Sequence, residues 1–180
     1  SGHKDDPEKP ELKAHRIIES NEKEMLEAVL EDKGDFSVSQ ADRNATEKPP
    51  LNFDLTSLQR EANNLWSWSA RRTLSVAQEL YDTHKLTTYP RTDSRFLPED
   101  MMESISKTIR QLGAQDKLNP HSQRLVDDGL KNVKRNFDNS KVSDHYAIIP
   151  TGKIPPGGLS SDAAKLYELI ARQFLASFHP

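Results

Sequence analysis

Leu86-Thr87-Thr88-Tyr89-Pro90-Arg91-Thr92-Asp93-Ser94-Arg95-Phe96-Leu97 cannot be a helix, although helical patterns lie on both sides of it. Pro90 has no amide hydrogen, and it pushes Tyr89 out of the α region. Leu86 to Tyr89 is short and β-prone. The stretch is therefore extended, and in extended chain residues i and i+2 point to the same side. Tyr89, Arg91 and Asp93 are expected to share one face.

Helical signals lie upstream. Thr56 and Gln59 form a capping-box pattern, followed at helical spacing by Leu58, Ala62, Leu65 and Trp66. A break at Ser67-Trp68 leads to Ser69, a good N-cap. The next helix runs to about Thr83, with Ala70, Leu74, Ala77 and Leu80/Tyr81 as its apolar face. Two helices joined by a tight turn suit a helix-turn-helix. They equally suit two packed helices with no role in DNA binding.

Downstream, Pro98 fits the first turn of a new helix with Met101/Met102, Ile105, Ile109 and Leu112 inward and Gly113 at its end. Pro120 opens a helix through Leu125, Val126 and Leu130. Residues 136–144 read as polar loop. His145 to Thr151 is extended, stiffened by Pro150. A turn at Pro155-Pro156-Gly157-Gly158 precedes a helix capped by Ser161, with Leu166, Leu169, Ile170, Phe174 and Leu175 inward. Before all this, residues 1–15 read as a charged tail or linker. Asn21 and Glu24 resemble a helix start, with Met25, Leu26, Val29 and Leu30 as the stripe and Gly34 as the stop. Phe36-Ser37-Val38 alternates like a strand, and Pro49-Pro50 closes the module.

Composition narrows the function. An apolar fraction of 34% beside 29% charged residues leaves much of the chain as surface, or as a face toward a larger body. There are no cysteines, so disulfides and thiolate metal sites are excluded. No apolar run approaches the ~20 residues that span a bilayer, and no signal peptide opens the chain. Residues 1–50 hold 8 basic and 13 acidic side chains, whereas residues 57–97 hold six basic and four acidic ones. This weak basic patch permits DNA contact without demanding it.

The chemistry centres on Tyr89. A free phenol has a pKa of about 10 and needs help to lose its proton. Arg91 favours the phenolate, offers a planar fork to phosphate oxygens, and meets charge that grows in the transition state. Asp93 is placed to hold Arg91. The plainer alternative is a strand-end turn with a surface ion pair. His145 opens a proline-locked run, so its imidazole can be aimed at a phosphate; a lone histidine is more often structural. Trp66 and Trp68 suit base stacking or the core. No Gly-x-x-x-x-Gly-Lys loop is present, so no nucleoside triphosphate site is expected. No His/Asp/Glu spacing suggests a metal.

Four segments in order resemble the type IA DNA topoisomerases: residues 49–59 (Pro-Pro-Leu-Asn-Phe-Asp-Leu-Thr-Ser-Leu-Gln), 77–81 (Ala-Gln-Glu-Leu-Tyr), 86–97, and 145–151 (His-Tyr-Ala-Ile-Ile-Pro-Thr). Pro90 and the Arg-Phe-Leu ending look like the topoisomerase III branch. The resemblance implies a mainly α fold with minor β, a winged-helix/CAP-like tyrosine domain over 51–151. It implies a tail at 1–15, an arch-domain segment at 16–50 and a return helix toward the arch at 152–180. It implies Tyr89 as the nucleophile that forms a 5′-phosphotyrosyl link to a cut single strand, without ATP. Arg91 would bind the scissile phosphate with His145 near it, and Thr92, Asp93 and Ser94 would support the site. Arg60, Arg71, Arg72 and Arg95 are the expected DNA contacts. The family's Mg²⁺ would sit in a separate Toprim domain, whose Asp-x-Asp is absent here. The chain alone would bind no catalytic metal and would not relax DNA. Its partners would be single-stranded DNA and the remaining domains of the same enzyme, with no membrane, in a bacterial cytoplasm near nucleoid or plasmid. Other tyrosine strand-cutters fit poorly. A recombinase needs spread arginines and histidines around a C-terminal tyrosine, and a relaxase needs a histidine triad. A helix-turn-helix module that only binds DNA is the remaining alternative.

Overall fold

The computed structural model describes residues 48–131 and 133–179, together with Glu24 and Glu27. The chain forms two compact units, Ser1–Thr46 and Glu47–Pro180. In the first, Glu24 and Glu27 are helical. The expected tail, the ends of the first helix and the strand at Phe36–Val38 lie outside the described residues.

The second unit is mainly helical, as the sequence predicts. Its helices are α1 (Leu55–Trp66), α2 (Ala70–Asp82), α3 (Met102–Leu112), α4 (Asn119–Asp128), α5 (Val133–Asn136) and α6 (Ser161–Ala176), with short 3-10 turns at Glu99–Met101 and Asn139–Lys141. The β content among the described residues is three isolated bridges: Phe53 with Ile148 and Thr87 with Pro150, both antiparallel, and Leu97 with Phe137, parallel.

Local signals explain most boundaries. α1 starts earlier than the Thr56 pattern suggests. Asp54 is the cap: its carboxylate accepts from the Ser57 amide at 2.8 Å, and the Ser57 hydroxyl accepts from the Asp54 amide at 3.1 Å. An aspartate two residues ahead of Thr56 already satisfies the first-turn donors. Gln59 instead donates across the turn to the Ala70 carbonyl. Ser67 ends α1 in the left-handed region (φ 54°), and Ser69 caps α2 through the Arg72 amide. Pro98 leads into the 3-10 turn, and Gly113 caps α3.

The core gathers on α6, which buries Ala163, Leu166, Tyr167, Ile170, Ala171, Phe174 and Leu175 and packs against α2 and α4. α1 packs on α2, and α3 on α4. Several inward faces differ from the periodicity. Leu65, Met102 and Val126 are exposed. Trp68, brought back by the left-handed Ser67, is buried and closes that end of the core, so Leu65 stays outside. α2 buries Thr73, Val76, Ala77 and Leu80, a face rotated from the expected one. Thr73 is tolerated there because its hydroxyl donates to the Ser69 carbonyl. The rotation releases Tyr81 from the core.

A buried polar knot ties three distant segments. The Asn136 amide donates to the Ser177 carbonyl at 2.7 Å, and the Asn52 amide reaches Asn136 Oδ1 at 3.5 Å. The Asn136 carbonyl accepts from the Leu97 amide at 2.8 Å. All three polar residues, Asn52, Asn136 and Ser177, are buried. Replacing Asn136 with alanine strands buried partners, each worth about 1–3 kcal/mol. Asn136→Ala is expected to lower the urea midpoint of the chain with little change in slope.

Candidate active site

The Tyr89 segment is shaped by backbone pairing. α2 ends at Asp82, and Lys85 turns the chain in the left-handed region (φ 54°). The Leu86 amide returns to the Leu80 carbonyl at 2.9 Å. Residues 86–88 then run antiparallel to 147–151. The Thr151 amide donates to the Leu86 carbonyl at 2.9 Å, and the Thr88 amide to the Ile149 carbonyl at 3.0 Å. The Thr88 hydroxyl closes the pair, donating to the Ala147 carbonyl at 2.8 Å and accepting from the Ile149 amide at 2.9 Å.

Beyond Thr88, burial alternates with period two. Pro90, Thr92 and Ser94 are buried, whereas Tyr89, Arg91, Asp93 and Arg95 are partly or fully exposed. This is the extended geometry that Pro90 predicts. The buried set anchors the strand. The Thr92 carbonyl accepts from the Leu55 amide at 3.0 Å. The Thr92 hydroxyl donates to the His145 carbonyl at 3.1 Å and accepts from the Ser94 amide at 3.1 Å. The Ser94 hydroxyl donates to the Lys141 carbonyl at 2.7 Å.

The outward set meets two other elements. The Tyr89 ring lies 4.3 Å from the His145 ring, centroid to centroid, and 5.4 Å from Tyr81 of α2, edge to face. Arg91 reaches α2 one turn earlier. With its amide oriented to suit both donors, Gln78 Oε1 accepts from Arg91 Nε at 3.2 Å and Nη2 at 3.3 Å. Tyr89 and Arg91 thus lie along one edge of α2. A cleft of about 320 Å³ opens here, lined by Tyr81, Thr87, Thr88, Tyr89, His145, Tyr146 and Thr151. Burial, reinforced by Tyr81, pushes the Tyr146 phenol above its ordinary value, so Tyr146 stays protonated near neutral pH. Lys85 Nζ sits 5.3 Å from the Tyr81 ring centre, bringing a cation to the rim.

Three of the expected residues have partners within the chain. Asp93 forms no ion pair with Arg91; its carboxylate accepts from the Ser143 hydroxyl at 3.1 Å, tethering the loop that leads into His145. Arg95 donates to the Asn52 carbonyl at 2.9 Å and reaches Leu51, so its guanidinium is engaged in holding the chain before α1. Arg72 pairs with Asp162 at 2.6 Å and covers the Trp68 ring at 4.7 Å. Both guanidiniums make these contacts through Nε and Nη2. Arg60 and Arg71 are exposed on α1 and α2. Trp68 belongs to the core, with Trp66 against it at 4.8 Å. Gln78, Tyr81 and Ser143 were not legible as site residues. Gln78 and Tyr81 stand in the Ala-Gln-Glu-Leu-Tyr run, but helical spacing alone reads that run as core.

No group of three or more His, Cys, Asp or Glu among the described residues is arranged to hold a metal ion.

An extended strand carries Tyr89 and Arg91, with His145 against the tyrosine, in a helical frame, and comparison with known proteins shows the family. The family model described as DNA topoisomerase matches residues 2–180. The chain belongs to the DNA topoisomerase family, in its bacterial type IA class. Within that class it is topoisomerase III-like. It is 40% identical over 173 residues to DNA topoisomerase 3 of Shouchella clausii, covering 93% of this chain and 23% of that protein. It is 47% identical over 132 residues to DNA topoisomerase 3 of Bacillus licheniformis, covering 71% and 18%. The Bacillus subtilis counterpart is 43% identical over 135 residues, covering 73% and 18%. The chain thus spans a minor part of the curated relatives it matches. A solved structure of full-length topoisomerase I from Thermotoga maritima aligns at 30% identity over 73% of this chain and 20% of its own, with a TM-score of 0.45.

Thr92→Val keeps the shape of the side chain but removes both of its hydroxyl bonds. The buried Ser94 amide and the His145 carbonyl lose a partner, at a cost of about 1–3 kcal/mol for the buried group. A matching fall in stability is expected by denaturant unfolding of the chain. Thr92→Ser should retain most of the stability.

Proposed function

We propose that this chain is the tyrosine-bearing part of a type IA topoisomerase that cuts, passes and rejoins single-stranded DNA. The observation that carries this reading is the shared edge of α2. There Tyr89 packs on His145 and Tyr81 and lines an open cleft, while Arg91 is held by Gln78 one turn away.

The Tyr89 phenolic oxygen attacks a backbone phosphorus. A bond forms between that oxygen and phosphorus, and the bond from phosphorus to the 3′-oxygen of the neighbouring nucleotide breaks. The phenolic proton leaves and the departing 3′-oxygen gains one. The product is a 5′-phosphotyrosyl link and a free 3′-hydroxyl, which reverses the step after strand passage. One phosphodiester replaces another, so no nucleotide hydrolysis is required. Arg91 presents Nη1 and the remaining hydrogen of Nη2 to the phosphate oxygens while Gln78 occupies the other edge of the fork. His145 supplies a hydrogen bond or charge beside the same phosphate. Positioning and charge stabilisation supply most of the acceleration.

Mg²⁺, held by a Toprim domain elsewhere in the complete protein, would supply further charge when bound. By this reading the isolated chain does not relax DNA. The remaining domains and single-stranded DNA are its partners, in the bacterial cytoplasm near nucleoid or plasmid. Arg60, Arg71, Arg72 and Arg95 are the DNA contacts in this reading. No helix among the described residues is long and apolar enough to cross a membrane.

In the complete enzyme, Tyr89→Phe should abolish the covalent adduct on single-stranded oligonucleotides while leaving strand binding within a few-fold. An adduct that persists would return the chain to the class of modules that only bind DNA. Arg91→Ala should slow cleavage by about 10²-fold or more, the scale for losing one transition-state donor, in single-turnover assays; unchanged cleavage would remove it from the chemistry.

A further inference from the structure

We propose that Gln78 is a positioning residue that orients the Arg91 guanidinium toward the scissile phosphate. The inference rests on the proposed role of Arg91 and adds a residue to that site.

Arg91 is an exposed side chain on an extended strand. Left alone, it would sample many rotamers, and a flexible cation positions a phosphate poorly. Asp93, its neighbour on the same face, does not restrain it, because its carboxylate is taken by Ser143. The restraint comes from α2. Gln78 Oε1 accepts from both Arg91 Nε and Nη2, at 3.2 and 3.3 Å. Two bonds from one acceptor fix the plane of the guanidinium as well as its position. The opposite edge of the fork is left for an anion.

The chemistry of the acceptor matters. A neutral amide holds the guanidinium without neutralising it. A carboxylate at the same place would hold it as firmly but would compete with the phosphate for its charge. Gln78 is itself fixed by its helix, with Thr73, Val76, Ala77 and Leu80 buried around it on α2. Tyr81, three residues on, meets the Tyr89 ring from the same helix at 5.4 Å. One rigid element therefore sets both the nucleophile and the cation, and only their separation along α2 is needed to register them.

The test is a double-mutant comparison in the complete enzyme, read by single-turnover cleavage of a single-stranded oligonucleotide and by its equilibrium binding. Gln78→Leu keeps the volume and removes the acceptor. It is expected to slow cleavage about tenfold or more with binding and melting temperature close to the parent. Gln78→Glu keeps an acceptor, so it should recover part of the rate lost in Gln78→Leu. The pair Gln78→Leu with Arg91→Ala should cleave no more slowly than Arg91→Ala alone, because Gln78 acts through Arg91. A parental rate in Gln78→Leu beside a slow Arg91→Ala would overturn the inference and leave the reading of Arg91 intact. So would a double variant much slower than Arg91→Ala. A parental rate in Arg91→Ala would instead overturn the reading on which the inference rests.

Discussion

The antiparallel pairing of residues 86–88 with 147–151 is the constraint on which the site depends. Neither segment has a full strand's ladder, and Pro90 and Pro150 each remove a donor. The pairing survives because Thr88 adds a side chain to it, satisfying the Ala147 carbonyl and the Ile149 amide in one contact. Once this pair is closed, Tyr89 has to emerge beside His145, and Arg91 follows on the same side. The proline that makes the strand short also makes it stiff. Aim is obtained from a few bonds instead of from a sheet.

The helices supply what the short pairing lacks. α6 gives the core its mass, and α2 packs against it with one face buried, its edge bearing Gln78 and Tyr81 toward the Tyr89 strand. The knot of Asn52, Asn136 and Ser177 secures the far end of the same strand, through the Leu97 amide and the Arg95 contacts to Leu51 and Asn52. The strand is therefore held at both ends and along its buried side. Its exposed side carries Tyr89, Arg91 and Asp93.

Much of this was legible in one dimension because the signals are local. Pro90 excludes helix at Tyr89, Ser69 caps α2, and Ser67 breaks the helical run. The alternation of burial from Pro90 to Ser94 follows from extended geometry alone. Other features depend on partners far away in sequence. The partners of Arg95 and Arg72 lie 43 to 90 residues away. The rotation of the α2 face, which turns Tyr81 outward, follows from packing between α1 and α6. Helical periodicity allows several neighbouring faces, and only the neighbours choose among them.

What the sequence determined by itself is the backbone course of 86–97 and the kinds of side chain it displays, since proline and threonine act on their own dihedrals. What only the tertiary structure decided is which groups meet those side chains. Gln78 takes Arg91 where Asp93 was expected, and Asp93 holds Ser143. Neighbours in sequence lost to neighbours in space, because a side chain on a helix one layer away can approach a guanidinium edge-on. A residue two places along the same strand is held at a distance fixed by the pleat.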